Sequence, residues 1–285
     1  MRCLVTGASG HLGSHLVRAL LQQGHEVTGA VRPISDTWRL TDVLSKINVI
    51  HVDLADIDRA GPAIVTAAPE VVFHLAWSGV TRQYRDDARQ IAVNLTGTEK
   101  LLGIIEQVKP RCFVGLGSQA ETQATQYGVA KLQASHLARQ ACERAGVRYV
   151  WLRLFATYGP ADDTSYLIPS VILQLLAGKK PALTSGEQKC DYLYVEDAAE
   201  AICCASDAQG VFDLASGTSR PVREIVTMIR DLIDPTLPLG FGEIPGGGVS
   251  LVADITGLQQ TTGWKPRVSL EDGLRRTVAW YRGHR

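Results

Sequence analysis

The feature that most constrains this chain is the rhythm of its first half. "RCLVTG" is a short apolar run that ends in a glycine turn, and "HLGSHLVRALLQQG" follows with apolar residues at helical spacing, stopping at Gly24. "HEVTGAV", "INVIHVDL", "PEVVFHLAW", "RCFVGLGS" and "RYVWLRLF" then read as further strands. "IAVNLTGTEKLLGIIEQV" and "YGVAKLQASHLARQACERAG" read as helices between them. Strands that alternate with helices build a parallel sheet covered on both faces, because each crossover must return along one face of the sheet. After about residue 157 the rhythm breaks into shorter pieces. We expect a nucleotide-binding α/β domain over residues 1–157, with 191–205 returning to it. Most of 158–285 then forms a smaller, interleaved α/β region that binds substrate.

Composition narrows the function. Lys plus Arg equals Asp plus Glu, 29 each, so electrostatics favours neither nucleic acid nor an anionic membrane as partner. The longest apolar stretch, "YLIPSVILQLLAG", carries a proline and a serine and is too short to span a bilayer. The six cysteines show no CxxC and no zinc-finger spacing, and read as reduced thiols of a cytoplasmic protein with no metal site.

In "VTGASGHLGSHL", Gly7, Gly10 and Gly13 lie between a strand and a helix, three and three apart. Gly7 allows the tight turn, Gly10 lets backbone approach a pyrophosphate, and Gly13 lets the helix pack closely on the strand. His11 and Leu12 open the helix, whose free N–H groups and positive dipole end suit phosphate. This is the dinucleotide site of a Rossmann-type sheet. An NAD site usually places an acid at the end of the second strand to bind ribose hydroxyls. Here "GAVRP" offers Arg32, which suits the 2′-phosphate of NADP, so NADP(H) is favoured and NAD is the alternative. Asp53 and Leu54 end the third strand, where an adenine edge would lie; Asp53 reads equally well as a helix N-cap.

"YGVAK" places Tyr127 and Lys131 four apart on one helical face, with Ser118 at the end of the preceding strand. An isolated Tyr-x-x-x-Lys pair arises by chance in roughly one chain in five of this composition. Behind a glycine turn in an alternating chain it means more. An ammonium beside a phenol, with an oxidised nicotinamide close by, is expected to lower the phenol's pKa. Tyr127 can then exchange a proton with a substrate oxygen while the cofactor exchanges a hydride. His74, on an apolar strand, reads as a core histidine, and Glu121 as a solvated loop residue.

At this point the chain resembles the extended short-chain dehydrogenase/reductases, the superfamily of sugar-nucleotide epimerases, dehydratases and 4-keto-reductases. The matching segments are "TGASGHLG", "VDL", "VFHLAW", "NLTGTEKLL", "YGVAK", "LRLFATYGP", "DYLYVEDAAEAI" and "ADITGLQQTTGWKPRVSLEDGLRRT", in the family's order over nearly the whole chain. The resemblance implies that Ser118, Tyr127 and Lys131 are catalytic. It puts Leu75, Ala76 and Trp77 beside the cofactor and Asn94 behind the site, and it implies a homodimer. The chain departs from the family at three places. Gln119 and Ala120 stand where a 4,6-dehydratase has the acids that drive elimination, which argues against that reaction. The segment between Ser118 and Tyr127 is short, so "VTRQYRDDARQ" is a candidate to close the pocket. Ala156 and Cys190 replace residues that usually grip the diphosphate, which leaves Ser78, Arg82, Arg85, Gln119, Ala156 and Lys189 as candidates for substrate contact. The expected function is an NADP(H)-dependent reductase of the 4-keto group of a nucleotide-activated deoxysugar. The alternatives are a nucleotide-sugar 4-epimerase, or a reductase of a non-nucleotide carbonyl compound.

Overall fold

A computed structural model of the chain describes residues 1–284, with the side chain of Arg82 outside the described residues. In chain order the elements begin β1 (Arg2–Thr6), α1 (His11–Gln22), β2 (Glu26–Val31), β3 (Asn48–His51), α2 (Gly61–Ala67) and β4 (Val71–His74). There follow α3 (Thr96–Val108), β5 (Cys112–Ser118), α4 (Gln126–Ala145) and β6 (Arg148–Leu154). The remainder holds β7 (Ala156–Tyr158), α5 (Leu167–Leu176), β8 (Ala182–Leu183), β9 (Lys189–Tyr194), α6 (Val195–Cys204) and β10 (Gly210–Leu214). Last come β11 (Ser219–Pro221), α7 (Val222–Ile233), β12 (Gly240–Phe241), α8 (Thr256–Thr262) and α9 (Leu270–Gly283).

Two compact units result. The first comprises 1–154, 199–213 and 257–264. Its sheet runs β10-β6-β5-β4-β1-β2-β3, and the registers from β3 across to β6 are all parallel. Strands buried on both faces are mostly apolar, and all four residues of β4 are buried, Val71, Val72 and Phe73 together with His74. One core cluster packs Phe113 and Trp151 of the sheet against Leu101, Ile104 and Ile105 of α3 and Ala134, Ala138 and Ala141 of α4. The alanines let α4 lie close to the strands, and apart from Tyr127 and Lys131 the buried face of that helix is built of small residues.

The second unit comprises 155–198, 214–256 and 265–285. Its three-stranded sheet, β11-β9-β7, has its own core, in which Tyr158, Ile172, Ile225, Ile229, Leu274 and Val278 are buried. The expectation that 191–205 returns to the first domain is corrected in part. Strand β9 pairs in parallel with β7 inside the second unit, and the returning segment is 199–213, ending in the edge strand β10. Residues 257–264, most of the short helix α8, also belong to the first unit. Among the described residues no helix is long and apolar enough to cross a membrane.

Candidate active site

Strand β1 lies between β2 and β4, so the chain leaves it in opposite directions on its two sides. The C-terminal ends of parallel strands at such a switch point leave a crevice. A cleft of ≈ 470 Å³ lies there, lined by Gly7, Ser9, Gly10, Arg32, Asp53, Leu54, Leu75, Ala76, Trp77 and Ser78, among others.

The three glycines of the first turn have distinct reasons to be glycine. Gly7 has φ +73, and a Cβ there would meet the Ala76 backbone at 2.9 Å. A Cβ on Gly13 would stand 2.1 Å from the Gly7 carbonyl oxygen, so the helix cannot pack on the turn with any larger residue. Gly10 is the N-cap of α1 with no side-chain cap, and it lines the cleft. The N-terminus of α1, which has no side-chain cap at Gly10, is therefore suited to a pyrophosphate.

Beyond β2 the cleft is lined by two arginines and one aspartate. Arg32 follows the strand and donates from Nε to Ser35 Oγ at 3.1 Å, and Ser35, Asp36 and Arg39 line the same end. The Arg39 guanidinium lies 4.4 Å from the Trp38 ring centroid. Arg39 is a second cation that the sequence pattern did not single out, because it sits seven residues past Arg32 in a short 3-10 turn. Asp53 both lines the cleft and caps the next turn, its Oδ1 accepting from Ala55 N at 3.1 Å.

Ser118, Tyr127 and Lys131 are brought together at the end of β5 and the start of α4. Thr125 caps α4 by accepting from Gly128 N at 3.1 Å, and Tyr127 follows in the first turn. Gly128 lies flush on the preceding turn, where a Cβ would come within 2.1 Å of the Ala120 carbonyl oxygen. Tyr127 is 7% exposed and Lys131 3%. The Ser118 Oγ accepts from Ala120 N at 3.2 Å, and its hydroxyl is near enough to the Tyr127 phenol to favour the ionised form. Lys131 Nζ donates to the Leu116 carbonyl at 2.7 Å and lies 3.7 Å from the Trp77 ring centroid.

Burial reverses the expected electrostatics. The Tyr127 phenol is pushed up from its ordinary value by desolvation, against the lowering effects of the Ser118 hydroxyl and the Arg85 charge; Glu121 adds to the rise. Lys131 is pushed down to about 7, again by desolvation, with Glu121 opposing. Helical spacing sets the distance between phenol and amine, but the loss of water around both sets the sign.

Glu121 also corrects an expectation. It is buried, with its side chain 1% exposed. Its Oε1 accepts from Ser118 N at 2.9 Å and from Trp151 Nε1 at 2.8 Å, and its Oε2 from Arg153 Nε at 3.0 Å. Ser118 and Glu121 form a capping box around the 3-10 turn Gln119–Thr122. The signal was present in "SQAE", a Ser-x-x-Glu spacing. Asn94 holds Ser78 through both backbone groups, accepting from its N at 2.7 Å and donating to its O at 3.0 Å. His74 is a satisfied core histidine: its ring nitrogens meet Thr6 Oγ1 at 2.8 Å and Thr98 Oγ1 at 3.0 Å.

Of the candidate substrate residues, Arg85 reaches the Tyr127 ring, and Ser78 lines the cleft. Gln119 is half-buried in the turn after Ser118 and accepts from Gln123 Nε2 at 3.1 Å. Ala156 and Lys189 belong to the second unit, where Ala156 lies in β7 and Lys189 N donates to Ser250 Oγ at 3.0 Å. The Arg82 side chain lies outside the described residues.

A glycine turn at the switch point of a parallel sheet, with a buried Tyr–Lys pair beside it, defines the enzyme class that moves hydride with a nicotinamide dinucleotide. Residues 3–214 match the NAD dependent epimerase/dehydratase family, and the chain belongs to it. It is 25% identical to the dTDP-glucose 4,6-dehydratase of Salmonella typhimurium, over 99% of this chain and 92% of that protein. Among solved structures it is similar to a UDP-N-acetylglucosamine 4-epimerase from Methanobrevibacter ruminantium in complex with UDP-N-acetylmuramic acid. That similarity has a TM-score of 0.90, 26% identity, and coverage of 100% of this chain and 99% of that one. It also matches, with TM-score 0.88 and 24% identity over 100% of both chains, the UDP-glucuronic acid 4-epimerase from Bacillus cereus in complex with UDP-glucuronic acid and NAD.

Proposed function

We propose that this enzyme uses NADP(H) to reduce the 4-keto group of a nucleotide-activated deoxysugar. The observation that carries the reading is the adenosine end of the cleft. There Arg32 donates to Ser35 Oγ just past β2 and Arg39 lines the same cleft, so two guanidinium groups outnumber the Asp36 carboxylate and suit a 2′-phosphate. A reductase must exchange its cofactor at every turnover, and a phosphate-reading site serves the reduced pool kept for biosynthesis. Gln119 and Ala120, in the turn after Ser118, carry no carboxylate for water elimination.

Bound in the cleft lined by Gly7, Gly10 and Arg32, a reduced nicotinamide dinucleotide would supply the hydride for the ketone carbon. Tyr127 gives its proton to the oxygen that becomes an alkoxide, and the carbonyl is thereby converted to an alcohol. The raised pKa keeps Tyr127 protonated in the resting enzyme, ready to act as the acid. Ser118 steadies the same oxygen and orients the phenol. Lys131, which donates to Leu116 O, would hold the nicotinamide ribose. The protein works as a homodimer through α3 and α4, the helices that pack together beside the site.

A nucleotide-sugar 4-epimerase is the second reading. Asp36 at the adenosine end of the cleft favours it, since a carboxylate there could accept from the ribose hydroxyls of NAD. Mass analysis of any cofactor retained by the purified protein, together with fluorescence titration by NADPH and NADH, tests the choice. An empty site that binds NADPH at least tenfold more tightly supports the reductase. Tightly held NAD overturns it in favour of the epimerase.

A further inference from the structure

The end of β5 that presents Ser118 is held by one buried carboxylate. Ser118 has extended backbone, φ −149 and ψ 148, and is the N-cap of the turn Gln119–Thr122. Its N–H donates to Glu121 Oε1 at 2.9 Å, and its Oγ accepts from Ala120 N at 3.2 Å. The turn therefore holds both the backbone and the side chain of the serine. With its oxygen engaged as an acceptor, the hydroxyl keeps its hydrogen for another oxygen.

Glu121 is itself anchored in the next strand. Its Oε1 also takes the Trp151 indole N–H, and its Oε2 takes Arg153 Nε. Strand β6 runs beside β5 in parallel register, with Gly117 opposite Arg153 and Ser118 opposite Leu154. The carboxylate thus braces the last residue of β5 against β6. The turn it caps has only 4 residues, too few for the cap to serve a helix of any length. That turn is also the floor of α4. Gln123 N donates to the Ala120 carbonyl at 2.8 Å, and a Cβ on Gly128 would come within 2.7 Å of the Gln123 carbonyl oxygen. Ser118 opens the turn, and Tyr127, just before Gly128, rests on its far side.

We propose that Glu121 is a positioning residue for the reaction: it holds the Ser118 N–H, braced on Trp151 and Arg153, and so fixes the serine hydroxyl where the reacting substrate oxygen lies. The proposal rests on reading Ser118 as the group that steadies that oxygen. A misplacement of about 1 Å at a reacting centre costs up to roughly 100-fold in rate. A brace on the serine therefore acts on turnover as well as on the fold. Because the serine steadies charge that develops in the transition state, the loss falls on kcat and leaves KM in place.

The test separates turnover from stability in the full-length protein. Two probes are offered: dTDP-4-keto-6-deoxyglucose with NADPH for reduction, and UDP-glucose for epimerisation. Kinetics are measured on the reaction that the parent enzyme performs, since Ser118 has the same role in both. Circular dichroism identifies which of Glu121→Ala, Glu121→Leu and Glu121→Asp fold, and those are assayed. Each is expected to lose roughly 10-fold or more in kcat at unchanged KM for the probe. In a Ser118→Ala background the same changes should cost about twofold or less, because the hydroxyl they misplace is already gone. Trp151→Phe is the control: it removes one donor to Glu121 and lowers stability but leaves Ser118 held, so kcat should stay within about twofold of the parent. An equal loss of kcat in Trp151→Phe, or an undiminished loss in the Ser118→Ala background, overturns the proposal and leaves the proposed function standing. A parent enzyme inert toward both probes overturns the nucleotide-sugar reading itself, and the proposal with it.

Discussion

The indole N–H of Trp151 donates to the Glu121 carboxylate at 2.8 Å, which joins the middle of β6 to the turn that follows Ser118. Two glycines make room for this. A Cβ on Gly115 would meet Trp151 Cε3 at 2.3 Å, and one on Gly117 would meet Trp151 Nε1 at 2.2 Å and Glu121 Oε1 at 2.3 Å. The "VGLGS" pattern is thus the imprint of an indole and a carboxylate lying across β5, beneath the end that presents Ser118.

Glu121→Ala should destabilise the fold by about 2–4 kcal/mol. It leaves the buried N–H groups of Trp151 and Ser118 without an acceptor and removes the partner of Arg153. Arg153 is 39% exposed, so water screens part of that ion pair and the loss falls short of a fully buried one. Glu121→Gln, which keeps an acceptor, should cost less. Urea denaturation followed by circular dichroism reads both.

Gly117→Ala should cost about 1–3 kcal/mol by the clash with Trp151 and Glu121. Because Ser118 is the next residue, turnover should fall along with stability. Gly103→Ala is the control: a Cβ there meets nothing within 4 Å, and the change should be neutral or slightly stabilising.

Arg32→Ala should weaken NADPH by roughly 10-fold to 100-fold and leave NADH nearly unchanged, since a charge-assisted bond to a 2′-phosphate is worth roughly 1.5–3 kcal/mol. Fluorescence titration with each nucleotide checks this. Equal weakening of both would assign Arg32 to the fold of the loop rather than to the phosphate.

His74 should make the protein sensitive to acid. Burial lowers its pKa from 6.5 to about 3. Between those values the unfolded chain takes up a proton that the folded chain refuses. The neutral imidazole's contribution is whole above pH 6.5 and shrinks as pH falls toward 3, by about 1.4 kcal/mol per pH unit. His74→Asn should show a shallower fall between pH 6 and pH 4 by about that slope. Denaturation curves at several pH values for both proteins make the comparison.

What could be read from the chain alone was local. Alternating apolar runs, glycines at fixed offsets and a four-residue step from Tyr127 to Lys131 all act within a few residues, where backbone geometry leaves little choice. They foretold the parallel sheet, the bare N-terminus of α1 and the shared face of the tyrosine and the lysine. The short helix α8 and the edge strand β10 escaped, because neither carries enough periodicity to be seen and both take their places from packing within the first unit. The electrostatics of the site also needed the tertiary structure. Glu121 looked like a loop acid until Trp151 and Arg153, 30 and 32 residues further on, were seen to bury it. Arg85 meets the Tyr127 ring from a loop far earlier in the chain. Ionisation depends on what replaces water around a group, and that is settled by residues far apart in sequence.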